Sequence, residues 1–522
     1  MVLDTEFVKS LVRLVMRELK AAAISASDTP DVQHALQAAL SQPNLQRALL
    51  AEVVQVAQSD KKLRKALAEE AVQLDILQRL NPHAAGLDIG AAEIWACVPP
   101  SRDPRPVRMF PTFTADLHAL ADWLQACGIQ TVAMESTGVY WIPLYELLEA
   151  RGFQVFLVNA RHLKNVPGKK TDILDCQWIQ QLHTFGLLRA SFRPAQDMCA
   201  LRAYVRHRDT LIRYRSSHVL HLQKALAQMN VHLTLVLSDI TGETGMRIIR
   251  AIVAGERDPN TLAQFRDPRC AKSQAEIAKA LTGQYRPEHV FELTQSLALY
   301  DFYTEQIKAC DTELEAKYTA VKPVVNLVAH PLPETPKSKR RKPKHAPDYD
   351  LRAYLYQLTG VDLTAVDGLD SVLAQEILSE IGLDMSAWPS DKHFTSWLRL
   401  APHNDISGGK VLRSRAGKTT NRATLAFRLA AQSVARTETA LGAFFRRMRA
   451  KHGAAKAIVA TANKIARIVY HMLKDKREYV AQGADYYEQK YRHQALQKLK
   501  RRAAKLGMRL VPATTLTGPA VS

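Results

Sequence analysis

The chain has 522 residues, of which 47% are hydrophobic and 23% charged, and its formal net charge is +20. This length exceeds what one hydrophobic core supports, so we expect two to four domains. The excess positive charge indicates a polyanionic partner, nucleic acid first, and the lack of an apolar run near the roughly 20 residues that span a bilayer disfavours a membrane protein.

Residues 1–82 show apolar side chains at helical spacing and predict a helical N-terminal extension, an accessory or dimerisation module without chemistry of its own. The first ten residues lack the basic and apolar pattern of a signal peptide. The six cysteines are scattered and form no C-x-x-C pair. We therefore expect a cytoplasmic protein with reduced thiols and no structural zinc site.

Alternating strand and helix patterns follow. Residues 86–90, 94–98 and 107–113 predict three adjacent strands, and residues 130–135 and 153–159 predict two buried strands. Helices are predicted at 114–127, with Thr114 as N-cap, and at 140–151. Three hairpin-like strands followed by alternating β and α elements is the order of a ribonuclease-H-like domain.

Four carboxylates stand out in this segment. Asp88 lies in the motif GLDIG and Glu135 ends a buried strand, whereas Asp172 and Asp175 share one face of a predicted helix. Such hard oxygen ligands suit a pair of Mg²⁺ ions, with Mn²⁺ as an alternative. Two ions about 3.5–4 Å apart stabilise both the attacking and the leaving oxygen of a phosphoryl transfer.

Residues 195–318 are predicted to form long helices, the second of which pairs with the first as an antiparallel coiled-coil arm. A Pro-rich basic stretch, 331–348, predicts a disordered linker that is either merely solvated or in contact with phosphates. Its candidate nucleic-acid-binding residues are Lys339, Arg340, Arg341 and Lys342.

The C-terminal part contains two notable segments. Residues 363–382 predict a helix-hairpin-helix with its turn at Gly368, although Asp367 and Asp370 would repel phosphate and favour a structural role. Residues 401–477 are strongly basic and include the sequence SGGK, in which Ser407 occupies a flexible loop that admits close approach of a ligand. Helices at 421–434 and 454–473 are predicted to frame that loop, and the tail after Glu488 lacks both acids and a structural pattern. The candidate nucleic-acid-binding residues here are Lys410, Arg413, Arg415, Lys418 and Arg422.

Together these motifs resemble the DEDD-type insertion-sequence transposases, the pilin-invertase-like group that includes bridge-RNA-guided serine recombinases. The resemblance runs in order through GLDIG, AMESTGVYW, KKTDILD, the hairpin of residues 363–382 and APHNDISGGK, and covers roughly residues 83–475. Ile406 departs from the small hydroxyl residue expected before the serine.

The resemblance implies an α/β plus α fold. Its parts are an N-terminal RuvC/ribonuclease-H-like domain, a helical coiled-coil connector, and a mainly α C-terminal domain with a helix-hairpin-helix-like segment. The expected organisation is an N-terminal extension (1–82), a catalytic domain (83–192), a connector (193–330), a basic linker (331–350), a C-terminal transposase domain (351–480) and a basic tail (481–522).

The resemblance also implies a function. It predicts DNA strand exchange between element ends and target by a homo-oligomer, a dimer or a tetramer, with a structured non-coding guide RNA. Asp88, Glu135, Asp172 and Asp175 are then catalytic metal ligands, and Ser407 is the nucleophile that forms a phosphoserine–DNA linkage, with Ser414 as the nearby alternative. The serine lies in another domain than the acids, so the active site is expected to form across a domain or subunit interface.

Three other interpretations remain open at this point. A RuvC-like metal nuclease would use water and form no covalent intermediate. An actin-like ATPase or sugar kinase also begins with a motif such as GLDIG, but no second phosphate loop follows and the net charge of +20 is unexplained. In a non-catalytic nucleic-acid scaffold the four carboxylates would be ordinary strand-end residues.

Overall fold

The structure is a computed structural model that describes residues 80–136, 138–159, 172–334, 343, 345–407, 410–417, 419, 421–480 and 483–510. These residues fall into two compact units that divide after Phe192. The predicted N-terminal extension lies almost wholly outside the described residues, as do linker residues 335–342. No helix in the described ranges has the length and apolar character needed to cross a bilayer.

The first unit is built on one mixed sheet. Its strands are β1 (Ala84–Ile89), β2 (Glu93–Cys97), β3 (Val107–Pro111), β4 (Thr131–Glu135) and β5 (Gln154–Val158). The strand order is β3-β2-β1-β4-β5, with antiparallel pairing among β1, β2 and β3 and parallel pairing of β4 with β1 and β5. The five predicted strands are confirmed, with ends shifted by one or two residues, and the arrangement is consistent with a ribonuclease-H-like α/β domain.

Helices cover both faces of this sheet. Helices α1 (Thr114–Ala126) and α2 (Trp141–Ala150) pack on the face that carries Leu87, Val132 and Met134. Helix α3 (Asp172–Thr184) packs on the other face, against Ala133 and Val158. The predicted N-cap of α1 is wrong: Thr114 is already helical and the extended residue before the helix is Phe113, which makes no side-chain cap.

A long antiparallel helix pair opens the second unit. Helix α4 (Gln196–Gln228) runs against α9 (Pro287–Ala320), and the ion pairs Arg208–Asp311 and Lys224–Glu292 show their opposite directions. Between these two helices, where the sequence analysis predicted only long helices, four short helices build a further core against this pair. They are α5 (Leu233–Val236), α6 (Glu243–Val253), α7 (Pro259–Ala263) and α8 (Gln274–Leu281).

The rest of the second unit is helical apart from one hairpin. Its elements are α10 (Leu351–Thr359), a 3₁₀ turn (Leu363–Ala365), α11 (Ser371–Ile381), α12 (Asp391–Trp397), β6 (Pro402–Ser407), β7 (Lys410–Ala416), α13 (Arg422–Ser433), a 3₁₀ turn (Val434–Arg436), α14 (Ala440–His452), α15 (Ala454–Asp475) and α16 (Ala484–Lys505). The two predicted helices at 421–434 and 454–473 are confirmed as α13 and α15.

Two segments of the second unit differ from the predictions made from the sequence. The first helix of the predicted helix-hairpin-helix is only a three-residue 3₁₀ turn, and Gly368 packs in a left-handed conformation (φ 87°) beside the Ala430 carbonyl. The Asp370 carboxylate accepts a hydrogen bond from the Leu373 amide and so caps α11. The tail after Glu488, for which no structure was predicted, continues a helix as far as Lys505.

Candidate active site

Asp88 and Glu135 lie at the same level of two neighbouring parallel strands. In the β1–β4 register Leu87 pairs with Met134, and the two acids are the next residues of their strands. Adjacent strands lie about 5 Å apart, so the two Cα atoms are near neighbours. Because side chains alternate along a strand, both acids point to the face of Gly86 and Ala133, which is the face that α3 covers.

Gly86 allows α3 to lie unusually close to β1. A Cβ at Gly86 would stand 2.5 Å from the Cys176 carbonyl oxygen and still nearer to the Gln180 amide nitrogen, both backbone atoms of α3. A glycine is needed wherever two backbones approach this closely. The absent side chain thus brings the first turn of α3 within reach of the end of β1.

That first turn supplies the remaining two acids. Asp172 and Asp175 are both in the first turn of α3, three residues apart and therefore on one face. One carboxylate oxygen from each of Asp88, Asp172 and Asp175 lies within 4.8 Å of the others. Asp172 is exposed, whereas Asp88 and Asp175 are half-buried. The structure thus brings three of the four predicted acids together, and Glu135 lies outside this group on the same face of the sheet.

The geometry of these acids fits a divalent cation. Magnesium binds carboxylate oxygens at about 2.1 Å, so two ligands of one ion lie at most about 4.2 Å apart. The three carboxylate oxygens lie within 4.8 Å of one another, which is close to this distance. Carboxylates alone form the donor set, which is the chemistry of Mg²⁺ or Mn²⁺ rather than of zinc or copper.

Two buried thiols lie next to the acids, one on β2 and one on α3. Cys97 is paired across the strands with Gly86, and Cys176 follows Asp175 on α3. The hydrogen bond between the two thiols and their burial, together with the nearby charge of Asp88, raise the pKa of Cys176. Cys176 therefore stays a protonated thiol.

Ser407 lies at the tip of a β-hairpin rather than on the flexible loop predicted from the sequence. It is the last residue of β6 and pairs with Lys410, the first residue of β7. Ser414, the alternative nucleophile, pairs with Asn404 farther along the same hairpin. Both serines are exposed, as are Ile406, Val411 and Leu412 near the tip. The hairpin thus presents a hydroxyl, apolar side chains and cations to its surroundings.

The predicted phosphate-binding cations divide into three groups. Lys410, Arg413 and Arg415 lie on β7 and are exposed. Arg422 instead forms an ion pair with Asp209 of α4 (3.2 Å), so it has an internal partner. The others, Lys339, Arg340, Arg341, Lys342 and Lys418, lie outside the described residues.

One important residue was missed by the reasoning from sequence. Gly86 was treated only as part of the motif GLDIG, whereas the structure shows that it sets the distance between α3 and β1. One sequence pattern could have indicated this role of Gly86. A glycine inside a buried strand, two residues before an acid, is typical of a site where another backbone approaches closely.

Two family models match the chain, over two separate segments. A DEDD-type IS110 model described as "Transposase" matches residues 85–231, which include all four acids. A model described as "Transposase IS116/IS110/IS902 family" matches residues 362–446, which include the β6–β7 hairpin. No curated protein matches the chain. The DEDD-type match and the acid cluster together indicate a divalent metal cofactor. The chain is therefore similar to IS110-type insertion-sequence transposases over two separate segments, and it is an enzyme that acts on DNA as a transposase.

Proposed function

We propose that this transposase cuts and rejoins DNA strands through an acid cluster that binds Mg²⁺ and a serine nucleophile, Ser407. The observation that carries the proposal is the convergence of Asp88, Asp172 and Asp175 within 4.8 Å at the end of β1. Glu135, at the same level of β4, completes the tetrad on the same face. The metal, when bound, stabilises negative charge on the scissile phosphate.

The acids' part in the reaction follows from their positions. Asp88 and Glu135 stand on strands of a packed sheet, which holds them rigidly, and Asp172 and Asp175 stand on a helix fixed to that sheet by close backbone contact. A rigid first coordination sphere keeps the scissile phosphate in one orientation. The protonated thiol of Cys176, next to Asp175 on α3, adds no negative charge beside the acids.

Ser407 supplies the nucleophile in this proposal. Its Oγ releases its proton and forms a bond to the phosphorus, the bond from phosphorus to the DNA oxygen breaks, and the displaced DNA oxygen takes up one proton, so that no net proton is gained or lost. The phosphoserine–DNA linkage keeps a phosphodiester intact, so attack by another DNA hydroxyl rejoins the strand and releases the serine. Support comes from the exposed position of Ser407 beside Lys410 and on the same hairpin as Arg413 and Arg415, whose charges suit a phosphate.

A structured guide RNA and a homo-oligomer complete the proposal. Both rest on the resemblance to bridge-RNA-guided members of the group. We infer that large apolar side chains exposed on α4 and α9 take part in self-association. These are Tyr214, Leu220, Phe291, Leu299 and Phe302.

The acid cluster is tested by charge-neutral substitution. Asp88→Asn, Glu135→Gln and Asp175→Asn should each abolish strand cleavage, because each removes an anionic metal ligand. Mn²⁺ titration calorimetry should show weaker metal binding for Asp88→Asn and Asp175→Asn, while duplex DNA affinity stays near that of the wild type. Asp116→Asn is the control, since Asp116 lies in the first turn of α1 on the opposite face of the sheet. Full cleavage by Asp88→Asn would contradict the proposal.

The serine is tested separately, which distinguishes a serine recombinase from a metal nuclease that uses water. Ser407→Ala should abolish recombination and leave unfolding temperature, metal binding and DNA binding unchanged. Ser414→Ala, on the same exposed hairpin, is the matched control and should stay active. Peptide mapping of a trapped protein–DNA adduct should identify Ser407. Normal cleavage and rejoining by Ser407→Ala would leave hydrolysis by the acids as the better account.

A further inference from the structure

The C-terminal helix α16 (Ala484–Lys505) projects a cationic face away from the second unit. Only its first two turns are docked. There Tyr487 and Tyr491 lie against the Arg447 guanidinium of α14, 5.4 and 3.2 Å from it to their ring centroids, and Glu488 pairs with Arg447 at 3.2 Å. The N-terminal third of α16 is thus held by aromatic and ionic contacts.

Beyond this anchor the helix has little contact with the described part of the chain. From residue 491 to residue 505 every side chain is exposed except those of Ala495 and Ala503, which are half-buried. At 1.5 Å per residue this segment extends for about 22 Å. It contains six Lys and Arg residues and no acid.

Local sequence specifies the end of this helix despite its charge. Gly507 adopts a left-handed conformation (φ 70°), its amide donates to the Ala504 carbonyl, and the Met508 amide donates to the Ala503 carbonyl. These two hydrogen bonds are the Schellman arrangement that terminates a helix. The helix therefore continues to a defined end.

The charges of the helix repel one another. Lys498, Arg501, Arg502 and Lys505 follow at i, i+3, i+4 and i+7, so they share one face. Like charges at these spacings destabilise a helix by about 0.2–0.5 kcal/mol per pair. None of the four forms an ion pair with another residue that the structure describes. A partner of opposite charge relieves this repulsion, and a DNA backbone carries such charges at close spacing along its length.

We propose that the cationic face of α16, defined by Lys498, Arg501, Arg502 and Lys505, binds the phosphate backbone of duplex DNA. The proposal rests on the assignment of the chain as an enzyme that acts on DNA, and it is independent of which residue is the nucleophile. The face adds a DNA contact about 11 Å long, from Lys498 to Lys505, that is separate from the cations of the β6–β7 hairpin.

Other occupants fit the helix less well. Its apolar side, with Leu496, Leu499 and Leu506, is short, because Arg492 bounds it one turn before Leu496. A second copy of the chain would bring a helix of the same strong positive charge, which opposes self-pairing. An anionic membrane would require a wider apolar face with large aromatic anchors, and the side chains from residue 492 to residue 505 include none.

The test neutralises the proposed face in the full-length protein. The variant Lys498→Gln, Arg501→Gln, Arg502→Gln, Lys505→Gln keeps helix-forming residues while it removes four charges. The control variant Lys279→Gln, Arg286→Gln, Lys317→Gln, Lys322→Gln removes four exposed charges elsewhere in the second unit. Affinity for a duplex DNA of arbitrary sequence is measured between about 50 and 200 mM salt.

We expect the α16 variant to bind duplex DNA about tenfold or more weakly, and the slope of log affinity against log salt to fall in magnitude by about 3, since each phosphate contact contributes about 0.9. The control variant should keep its slope within about one unit. Unchanged slope in the α16 variant, or equal loss in the control, would overturn the proposal. So would a loss confined to a structured RNA hairpin, to vesicles of anionic phospholipid, or to self-association in light scattering, each with DNA binding intact.

The DNA-binding result for the α16 variant can be interpreted independently of the proposed roles of Ser407 and the acid cluster. Ser407→Ala and Asp175→Asn are expected to keep wild-type DNA affinity, whereas the α16 variant is expected to lose affinity and to keep its Mn²⁺ titration. A helix that unfolds on substitution would change the circular dichroism spectrum. In that case Lys498→Arg, Lys505→Arg must retain wild-type affinity and salt slope, and weaker binding by this charge-conserving variant would overturn the proposal.

Discussion

At the scale of single residues, the position of the acid cluster depends on a side chain that is absent. Gly86 lets the α3 backbone approach β1, and the close approach brings Asp172 and Asp175 toward Asp88. Any side chain at position 86 would meet backbone atoms, which move only with the whole helix. The metal-binding geometry is therefore sensitive to one methyl group outside the set of ligands.

We expect Gly86→Ala to destabilise the first unit by about 1–3 kcal/mol, the usual cost of overpacking, because the new methyl group would push α3 away from the sheet. The same displacement should weaken Mn²⁺ binding. Calorimetric unfolding and metal titration measure the two effects. Gly483→Ala is the control, since an added Cβ there meets nothing within 4 Å. Equal unfolding temperature and metal affinity in Gly86→Ala and wild type would contradict this account.

Residue-scale prediction from sequence succeeded where local pattern and chemistry coincide. Asp88 stood out because of the motif GLDIG, and Asp172 and Asp175 because of their spacing. These three acids converge. The pairing of Cys97 with Cys176 beneath them was not predicted. It depends on the register of β1 with β2 and on the distance of α3, neither of which is visible in a local sequence pattern.

At the scale of elements, a cluster of charged side chains joins α11 to α4 and α13. Glu380 of α11 accepts paired hydrogen bonds from Arg206 of α4, both 2.7 Å long. Glu376, one turn earlier on α11, faces Asp209 of α4, Arg422 of α13 and Glu380. Burial, reinforced by the negative charges of Asp209 and Glu380, raises the pKa of Glu376 to about 7.

This raised pKa predicts a pH dependence of stability. Between the ordinary glutamate value near 4.5 and about 7 the folded protein holds a proton that the unfolded chain has released. Stability should therefore fall as pH rises through this window and level off above it. Calorimetric unfolding temperatures across the window measure the effect. Glu376→Gln should flatten that part of the profile, whereas the exposed Glu313→Gln should leave it unchanged; equal slopes in wild type and Glu376→Gln would refute the assignment.

At the scale of elements, the sequence predicted strands and helices well where they bury apolar side chains. It predicted them poorly where the side chains are mostly cationic and exposed. The five strands and the helices α13 and α15 bury apolar side chains at regular spacing, so their existence was visible in the sequence. Helix α16 buries almost nothing, and its residues gave no apolar period to detect. The helix-hairpin-helix prediction erred because Leu363 begins only a 3₁₀ turn, which a short apolar pattern does not distinguish from a helix.

At the scale of the whole molecule, the residues proposed for function are divided between two parts of the chain. The four acids precede the boundary after Phe192, and the β6–β7 hairpin and the cationic face of α16 follow it. The net charge of +20 correctly indicated a polyanionic partner, since the matched families act on DNA. Charge alone did not indicate where that partner binds, because Arg422 pairs internally with Asp209 whereas Lys498 is exposed.

The β6–β7 hairpin has a consequence for fidelity. A lone two-stranded ribbon is only marginally stable in water, and the side chains around this tip, among them Ile406, Val411 and Leu412, are exposed. If Ser407 is the nucleophile, its hydroxyl is held for attack only while substrate contacts restrain the ribbon. Unrelated DNA that dissociates quickly leaves before its contacts restrain the hairpin. Strand breakage would then occur only on DNA that stays bound long enough to restrain it. The low stability of an isolated hairpin would thereby delay strand breakage on DNA that is bound only briefly.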